Sequence, residues 1–280
     1  MAIIAFWSDE KRETGQTLSM VALTTYMAIE HNYRILNVST NFKDQTLENC
    51  YWPTEPSELF TKKSGQEKEV VGIESGIEGL VKIIKSNKTT PNIVSNYSKA
   101  IFNDRLDILG APKTKVYNEY LEYAKIYPEI LNVANRNYDL VFVDVSKKMD
   151  EEEANRILEI ADVIIINVTQ KLQIINKINE LRGENSFFKN NNILLNIGRY
   201  DKFSKYNIKN ISRYLRLKQD ILAIPYNTLF FEGCSEAKVV EFFLRLRNAD
   251  EGDRNQTFIQ EVSRMTKTLI YKLQELQIRM

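Results

Sequence analysis

The sequence has little histidine and little cysteine. His31 is its one histidine, and Cys50 and Cys234 are its only cysteines. A single histidine leaves little room for a His-based metal site or a Ser-His-Asp triad, and we expect His31 on the surface at a helix end. The cysteines lie far apart without a ligand-like spacing, so free buried thiols in a reducing cytosol are favoured over a disulfide.

The sequence also lacks a charge excess and long hydrophobic runs. Its 38 basic residues nearly balance 37 acidic ones, giving a net charge of +1, so no global field favours nucleic acid or anionic membranes. The apolar run at residues 1–7 is short and has no basic leader, which is unlike a signal peptide or a membrane span. We therefore expect a soluble, cytoplasmic protein, with residues 1–280 in a single domain.

Short apolar runs alternate with longer helical patterns along the whole chain. The predicted strands are 2–7, 34–38, 92–94, 106–109, 140–145, 163–168, 193–197 and 221–224. The predicted helices are 17–31, 74–85, 114–134, 151–160, 172–182, 236–246 and 255–277. Several strands are continuous apolar runs, which is typical of strands buried on both faces. The pattern predicts an α/β fold, a doubly wound, mostly parallel sheet with helices on both faces, and a surface excursion at 42–72.

The loop after the first predicted strand contains the most informative residues. In a doubly wound sheet this loop opens where the strand order reverses, and the next helix offers free backbone N–H groups to an anion. A P-loop needs glycines, a phosphate-binding lysine and a Ser or Thr for Mg²⁺. Gly15 and Thr17 stand where the last glycine and the hydroxyl belong, but Gln16 stands in place of the lysine. The alternative is a polar loop in which Thr14 caps the helix.

Residues 11–17 resemble the Lys-Gly-Gly-x-Gly-Lys-Thr loop of the ParA/MinD family of P-loop ATPases, matching at Lys11, Gly15 and Thr17. The resemblance implies that Lys11 reaches across a dimer to the partner's nucleotide. Residues 34–41 resemble the second-strand motif of that family, in which two aspartates follow the apolar run. This chain has Ser39 and Asn41 at those positions.

Four later segments resemble further family motifs in the family's order. They are 138–144, 161–168, 193–196 and 224–227. The first resembles the Walker B strand, with Asp144 at its acidic end, and the second resembles the next core strand. The third resembles the strand whose asparagine, here Asn196, meets adenine, and the fourth resembles the loop that closes over the base, which contains Pro225. The resemblance spans roughly residues 1 to 270.

The resemblance implies ATP or ADP with Mg²⁺ as the ligand. The implied nucleotide-binding residues are Lys11, Thr14, Gly15, Gln16, Thr17, Asn196 and Pro225, and the implied magnesium residues are Thr17 and Asp144. Because Gln16 lacks the charge of the family's lysine, we expect a loss of about 100-fold or more in rate or affinity. The sequence therefore predicts weak or absent nucleotide binding and little hydrolysis. The alternative is an active ATPase in which Lys11 and Arg12 replace the lysine.

Two surface patterns suggest partners. The segment after Asn196 is basic with interleaved tyrosines, which is similar to relatives that bind DNA, although a solvated helix is favoured. Its residues are Lys202, Lys205, Lys209, Arg213, Arg216 and Lys218, with Tyr200, Tyr206 and Tyr214. The C-terminal helix carries an apolar stripe of Phe258, Val262, Met265, Leu269, Leu273 and Leu276. Packing on the domain or on a partner helix is favoured over the membrane binding seen in MinD-like relatives.

The leading hypothesis is a ParA/MinD-like positioning or assembly factor that hydrolyses ATP barely or not at all. The resemblance implies a homodimer formed through the nucleotide face. It also implies a setting such as pilus or secretion machinery, as with CpaE/TadZ-type relatives, plasmid partition or cell division. A DNA-binding partition protein and a membrane-surface protein are the alternatives.

Overall fold

Eight strands form one sheet within the residues that the computed structural model describes, which are 1–10, 14–53, 76–86, 90, 92–184, 192–217, 220–247, 253 and 255–279. In chain order they are β1 Ala2–Trp7, β2 Ile35–Ser39, β3 Lys99–Phe102, β4 Leu106–Leu109, β5 Leu140–Asp144, β6 Val163–Val168, β7 Ile193–Tyr200 and β8 Leu222–Pro225. Their order across the sheet is β3-β4-β2-β5-β1-β6-β7-β8. Neighbouring strands are parallel, except that β3 is antiparallel to β4.

Helices connect these strands and cover the sheet. In chain order they are α1 Gln16–Glu30, α2 Thr46–Asn49, α3 Ile77–Lys85, α4 Ile93–Tyr97, α5 Tyr117–Ala124, α6 Tyr127–Ala134, α7 Glu151–Ile160, α8 Leu172–Glu184, α9 Ile208–Leu215, α10 Thr228–Ser235, α11 Val239–Leu246 and α12 Gln256–Arg279. The predicted fold class, an α/β fold with a mostly parallel sheet, is confirmed.

The central strand β1 shows why its sequence is apolar throughout. Alternate side chains of a strand point to opposite faces of the sheet. Ile3 and Ala5 belong to the core that includes α6 and α7, whereas Ile4 and Phe6 belong to the core that includes α1 and α12. Both faces of β1 are therefore buried, as a continuous apolar run predicts.

The strand order places a crevice at the carboxyl ends of β1, β2 and β5. From β1 the chain passes through α1 to β2, which lies beyond β5, and from β5 it passes through α7 to β6, on the other side of β1. The connections thus leave the centre of the sheet in opposite directions. Ligands of open α/β sheets bind at such a switch point.

Most predicted strands occur where the sequence indicated. Those at 2–7, 106–109 and 163–168 have the predicted bounds. Those at 34–38 and 221–224 are shifted by one residue, that at 193–197 is extended by three, and that at 140–145 is shorter by one. The strand predicted at 92–94 is wrong, because this segment lies in helix α4 and strand β3 follows it. As an outer strand with half-exposed or exposed side chains, β3 lacks the continuous apolar run of the inner strands.

The helix predicted at 114–134 is two helices, α5 and α6. The helix is interrupted at residues 125 and 126. Pro128 occupies the first turn of α6, where its missing N–H costs nothing. The helix predicted at 236–246 begins only at Val239. Helix α9 lies in the basic segment for which a solvated helix was favoured, whereas α2 and α10 have no counterpart among the predicted elements. Asparagine side chains cap α9 and α10.

The predicted surface excursion at 42–72 is partly wrong. Leu47 and Cys50, in and directly after α2, are buried in the core, because α2 packs beside α1. Residues 54–72 lie outside the described part of the chain, as do residues 74 and 75 of the helix predicted at 74–85. Cys50 and Cys234 are free and buried, and His31 lies at the end of α1, both as predicted.

The C-terminal helix α12 packs on the domain, as predicted. Phe258, Val262, Met265 and Leu269 are almost wholly buried, and α12 lies against α1 and β8. Its apolar stripe is thus part of the core. Within the described ranges, no helix combines the length and the apolar character that crossing a membrane requires.

Candidate functional site

A cavity of about 450 Å³ opens at the crevice predicted by the strand order. The start of α1 forms one side of it, and the segments that follow β2 and β5 form others. Lining residues that matter for its chemistry are Thr14, Gly15, Thr17, Asp144, Lys147 and Arg199. The structure thus brings together five of the predicted site residues, namely the first four of these and Gln16, with two cations that the sequence did not single out.

The first turn of α1 presents free backbone donors. Gly15 is the N-cap residue, and its φ of 69° lies in the left-handed region that glycine adopts readily. The first helical hydrogen bond runs from Ser19 N to Gly15 O at 2.8 Å, so the N–H groups of the three preceding residues have no helical acceptor. The alternative that Thr14 caps the helix is wrong, because Gly15 takes the cap position without a side-chain bond.

The turn before α1 is held against the end of β7. A Cβ on Gly198 would lie 2.0 Å from the backbone oxygen of Thr14, a distance that real atoms do not reach. Arg199, the next residue, packs beside Gly15 and has a φ of 53°. Only glycine at position 198 therefore permits this contact, which carries the Arg199 side chain to the cavity.

The Gln16 amide bonds inward. Its Nε2 donates to Phe6 O at 3.0 Å, to Asp144 Oδ1 at 2.7 Å and to Val145 O at 3.0 Å. The side chain is 7% exposed, and among the described residues its Oε1 has no hydrogen-bond partner. An amide nitrogen has two hydrogens, so these three acceptors already occupy its donor capacity. Gln16 thus connects α1 to β1 and β5 and retains no free donor for a ligand.

Asp144 is the centre of this network. It is fully buried, and its Oδ2 accepts from Thr17 Oγ1 and from Asn41 Nδ2, each at 2.7 Å, in addition to the Gln16 bond at Oδ1. Burial raises the pKa of the Asp144 carboxyl, while these hydrogen bonds act in the opposite direction. The structure therefore joins Thr17 and Asp144, the two residues of the predicted magnesium site.

The surroundings of Asp144 fit Mg²⁺ poorly. Magnesium demands near-octahedral oxygen ligands, usually with one or two carboxylates. The Asp144 oxygens already accept three protein donors, and Asn41 supplies an amide where the family motif has an aspartate. Throughout the described ranges, no group of three or more acidic, histidine or cysteine side chains could hold a metal. The magnesium assignment to Thr17 and Asp144 stays a prediction.

Two consecutive lysines follow β5 and supply positive charge. Lys147 Nζ donates to Thr14 Oγ1 at 3.3 Å, which places it beside the first turn of α1. Burial lowers the pKa of Lys147. Lys148 Nζ instead donates to Phe42 O at 2.9 Å. Both lysines come shortly after Asp144 in the sequence, with Val145 and Ser146 between, whereas the predicted Lys11 lies outside the described residues.

The two residues predicted to meet the base lie apart. Asn196 is fully buried in β7 and donates through Nδ2 to Asn167 Oδ1 at 2.8 Å, and it is not among the described residues that line the cavity. Pro225 lines a second cavity beside Gly15 and Arg199, with a volume of only about 30 Å³. That volume holds roughly one water molecule. A base could enter only if side chains there moved.

This chain resembles known proteins in its fold but not in its sequence. The chain matches no protein-family model and no curated protein. Solved structures do match over nearly its whole length. A ParA family ATPase from Chlorobium tepidum is 16% identical, with a TM-score of 0.66, over 93% of this chain and 97% of its own.

Two further matches are cell-division proteins. The septum site-determining protein MinD of Pyrococcus horikoshii, solved in complex with Mg-ADP, is 13% identical, with a TM-score of 0.62, over 97% of this chain and 98% of its own. The MinC:MinD cell division protein complex of Aquifex aeolicus is 14% identical, with a TM-score of 0.59, over 95% of this chain and 96% of its own. The chain has the ParA/MinD fold. At such low identity the likeness shows the fold alone.

Proposed function

We propose that this protein is a ParA/MinD-like positioning or assembly factor whose nucleotide binding is weak or absent and which does not hydrolyse ATP appreciably. The observation that supports it is the inward bonding of Gln16, which stands where the ParA/MinD loop has its phosphate-binding lysine. A neutral amide with no free donor provides neither charge nor hydrogen bond to a phosphate. The protein is, in this proposal, a cytoplasmic pseudoenzyme.

Chemical reasoning supports the loss of hydrolysis. Phosphoryl transfer requires neutralised phosphate charge and an oriented water molecule. Ser39 and Asn41 stand at the positions of the two second-strand aspartates, and both are neutral. Asn41 bonds to Asp144 instead of leaving that carboxylate to a metal or to water. Each departure removes one contribution to transition-state stabilisation, and together they leave little catalysis.

The ParA/MinD-like fold also suggests partners. The Aquifex aeolicus MinD was solved as a complex with MinC, so a protein of this fold can act by holding a partner. We propose that this chain forms a homodimer and serves a localisation, pilus or secretion machinery in the manner of CpaE/TadZ-type proteins. In such a role the folded surface acts as a scaffold, and hydrolysis is dispensable.

Titration calorimetry with Mg-ATP and Mg-ADP, combined with light scattering for mass, tests the proposal. We expect no binding, or only weak binding, and a mass that is the same with and without nucleotide. Micromolar binding that changes the oligomeric state would overturn it, because the site would then operate as a nucleotide switch.

A second candidate, DNA binding, follows from one surface. Lys202, Lys205, Lys209 and Arg213 are all exposed in and before α9, and Phe203 beside them is 87% exposed. Tyr200 at the end of β7 and Tyr206 before α9 pack partly on the core, whereas Tyr214 within α9 is 52% exposed. Salt-dependent retardation of random duplex DNA would favour a partition protein, and no retardation at low salt would exclude it.

A further inference from the structure

The cavity contains a lysine that the ParA/MinD loop does not provide. Lys147 lies in the segment after β5, whereas the lysine of the ParA/MinD loop would come from the start of α1. Its Nζ reaches Thr14, the residue directly before the helix cap Gly15. A cation at this point lies beside the free N–H groups of the first turn of α1, where an anion would bind.

Among the described residues, the carboxylates whose charges act on Lys147 are those of Glu10, Asp144 and Asp9, and each has other partners. Asp9 forms an ion pair with Lys177, and the Glu10 carboxylate accepts from the backbone N–H and the hydroxyl of Thr169 at 2.8 and 2.9 Å. Asp144 accepts its three donors from α1 and from the segment after β2. Among the residues described, Lys147 therefore has no carboxylate within ion-pair distance. A half-buried ammonium group whose bond is to a hydroxyl retains charge for a ligand.

Arg199 adds a second cation on the same cavity. Its unusual backbone conformation and the close approach of Gly198 to Thr14 bring it against Gly15. Gln16, meanwhile, has an oxygen that is buried without a partner among the described residues, which a water entering with a ligand could satisfy. Two cations and a helix N-terminus around about 450 Å³ suit a phosphate chain.

We propose that Lys147 replaces the missing P-loop lysine, and that phosphate groups bind here without magnesium. The inference deepens the proposed function and rests on it: binding that is weak in Mg-ATP terms becomes metal-independent binding of a diphosphate. Lys147 and Arg199 neutralise the phosphate charge that a metal ion would otherwise share. The Gln16–Asp144–Thr17 network then serves as a fixed wall, and no metal has to enter it.

The test is titration calorimetry of the full chain with inorganic pyrophosphate and with ADP, each in EDTA and in excess Mg²⁺. We expect binding in EDTA that Mg²⁺ does not strengthen. Lys147→Ala and Lys147→Gln should weaken it about 10-fold or more, as the loss of a charged hydrogen bond implies, and Lys147→Arg should largely retain it. Lys125→Ala, an exposed lysine paired with Glu122, is the matched control and should bind as the unmodified protein does.

Three results would overturn the inference: equal binding by Lys147→Gln, binding that requires Mg²⁺, or no binding of either ligand at millimolar concentration. Thermal unfolding of each variant separates lost binding from lost folding, and Lys147→Arg provides a second comparison if Lys147→Ala fails to fold. Equal binding by Lys147→Gln, or no binding, leaves the proposed function intact. That function is overturned only by micromolar nucleotide binding that changes the oligomeric state or by magnesium-dependent phosphate release, which light scattering and a phosphate-release assay measure separately.

Discussion

Gln16 Nε2 lies 2.7 Å from Asp144 Oδ1, which joins the residue in the P-loop lysine position to the residue at the end of the Walker B-like strand. The same nitrogen reaches the backbone oxygens of Phe6 and Val145. One amide therefore fastens helix α1 to the two central strands. In the proposed function, this bonding leaves the Gln16 amide with no donor for a phosphate.

This bond predicts that Gln16 stabilises the fold. Gln16→Leu should lower the free energy of unfolding by about 1–3 kcal/mol, because buried acceptors on Phe6, Asp144 and Val145 lose their donor. Urea unfolding measures the change. Gln45→Ala, an exposed glutamine before α2, is the control and should change stability by no more than about 0.5 kcal/mol. Equal stability of Gln16→Leu and the unmodified protein would show that the amide network contributes nothing.

The contact between β7 and the turn before α1 gives a second prediction. Gly198→Ala should destabilise the protein by about 3 kcal/mol or more, or prevent folding, since its Cβ would meet a backbone oxygen at 2.0 Å. Gly233→Ala is the matched control. Gly233 lies within helix α10, and its added Cβ would meet Cβ of Phe242 in α11 at an ordinary 3.5 Å. A helical glycine replaced without a clash should leave stability equal or higher by up to about 1 kcal/mol. Thermal unfolding of both variants decides, and similar values for the two would contradict the close approach.

The strands that the sequence predicts most accurately are those with both faces buried. Strands such as β1 and β6 are apolar on both faces and were predicted at their observed bounds. The outer strand β3 has exposed or half-exposed side chains and therefore no continuous apolar run by which it could be predicted. Helices α5 and α6 read as one segment because amphipathic spacing continues through the break, and only Pro128 marks it.

The candidate site could be predicted in its positions but not in its bonds. Gly15, Thr17 and Asp144 lie together as the motif order indicated. The direction of the Gln16 amide depends on which acceptors the fold brings near it, and those come from residues about 130 positions later in the chain. Lys147 was overlooked for the same reason, since its closeness to Thr14 exists only after β1 and β5 have paired.

A third prediction concerns the pH dependence of stability at Glu48. Burial raises the pKa of its carboxyl above the ordinary value of 4.5, while a hydrogen bond from Ala111 N at 2.6 Å acts in the opposite direction. A raised pKa in the folded state means that Glu48 contributes most stability below 4.5 and loses this contribution as the pH rises through the folded pKa. Glu48→Gln is neutral at every pH, so its stability relative to the unmodified protein should increase as the pH rises from 5 towards 8.

Urea unfolding across that range measures the difference. Glu122→Gln is the control: the neighbouring Lys125 lowers the pKa of the exposed Glu122, so this carboxyl is ionised throughout that range and the stability difference should not change with pH. A stability difference for Glu48→Gln that falls with rising pH would contradict the buried-carboxyl explanation.

The C-terminal helix gives a fourth prediction. Leu269 is fully buried against the body of the domain, so Leu269→Ala should cost about 2–5 kcal/mol of unfolding free energy. Tyr271, two residues later, is 64% exposed, and Tyr271→Ala should change stability little. Flotation with anionic liposomes completes the comparison. A stable Leu269→Ala variant together with flotation of the unmodified protein would mean that the stripe serves a membrane instead of the core.

A phosphate-release assay with Mg-ATP tests most directly the proposal that this protein does not hydrolyse ATP appreciably. With purified protein at micromolar concentration, we predict no release above the protein-free blank. Release that depends on Mg²⁺, scales with protein concentration and is lost in Lys11→Ala would contradict the claim, and it would identify an active ATPase in which Lys11 replaces the missing lysine.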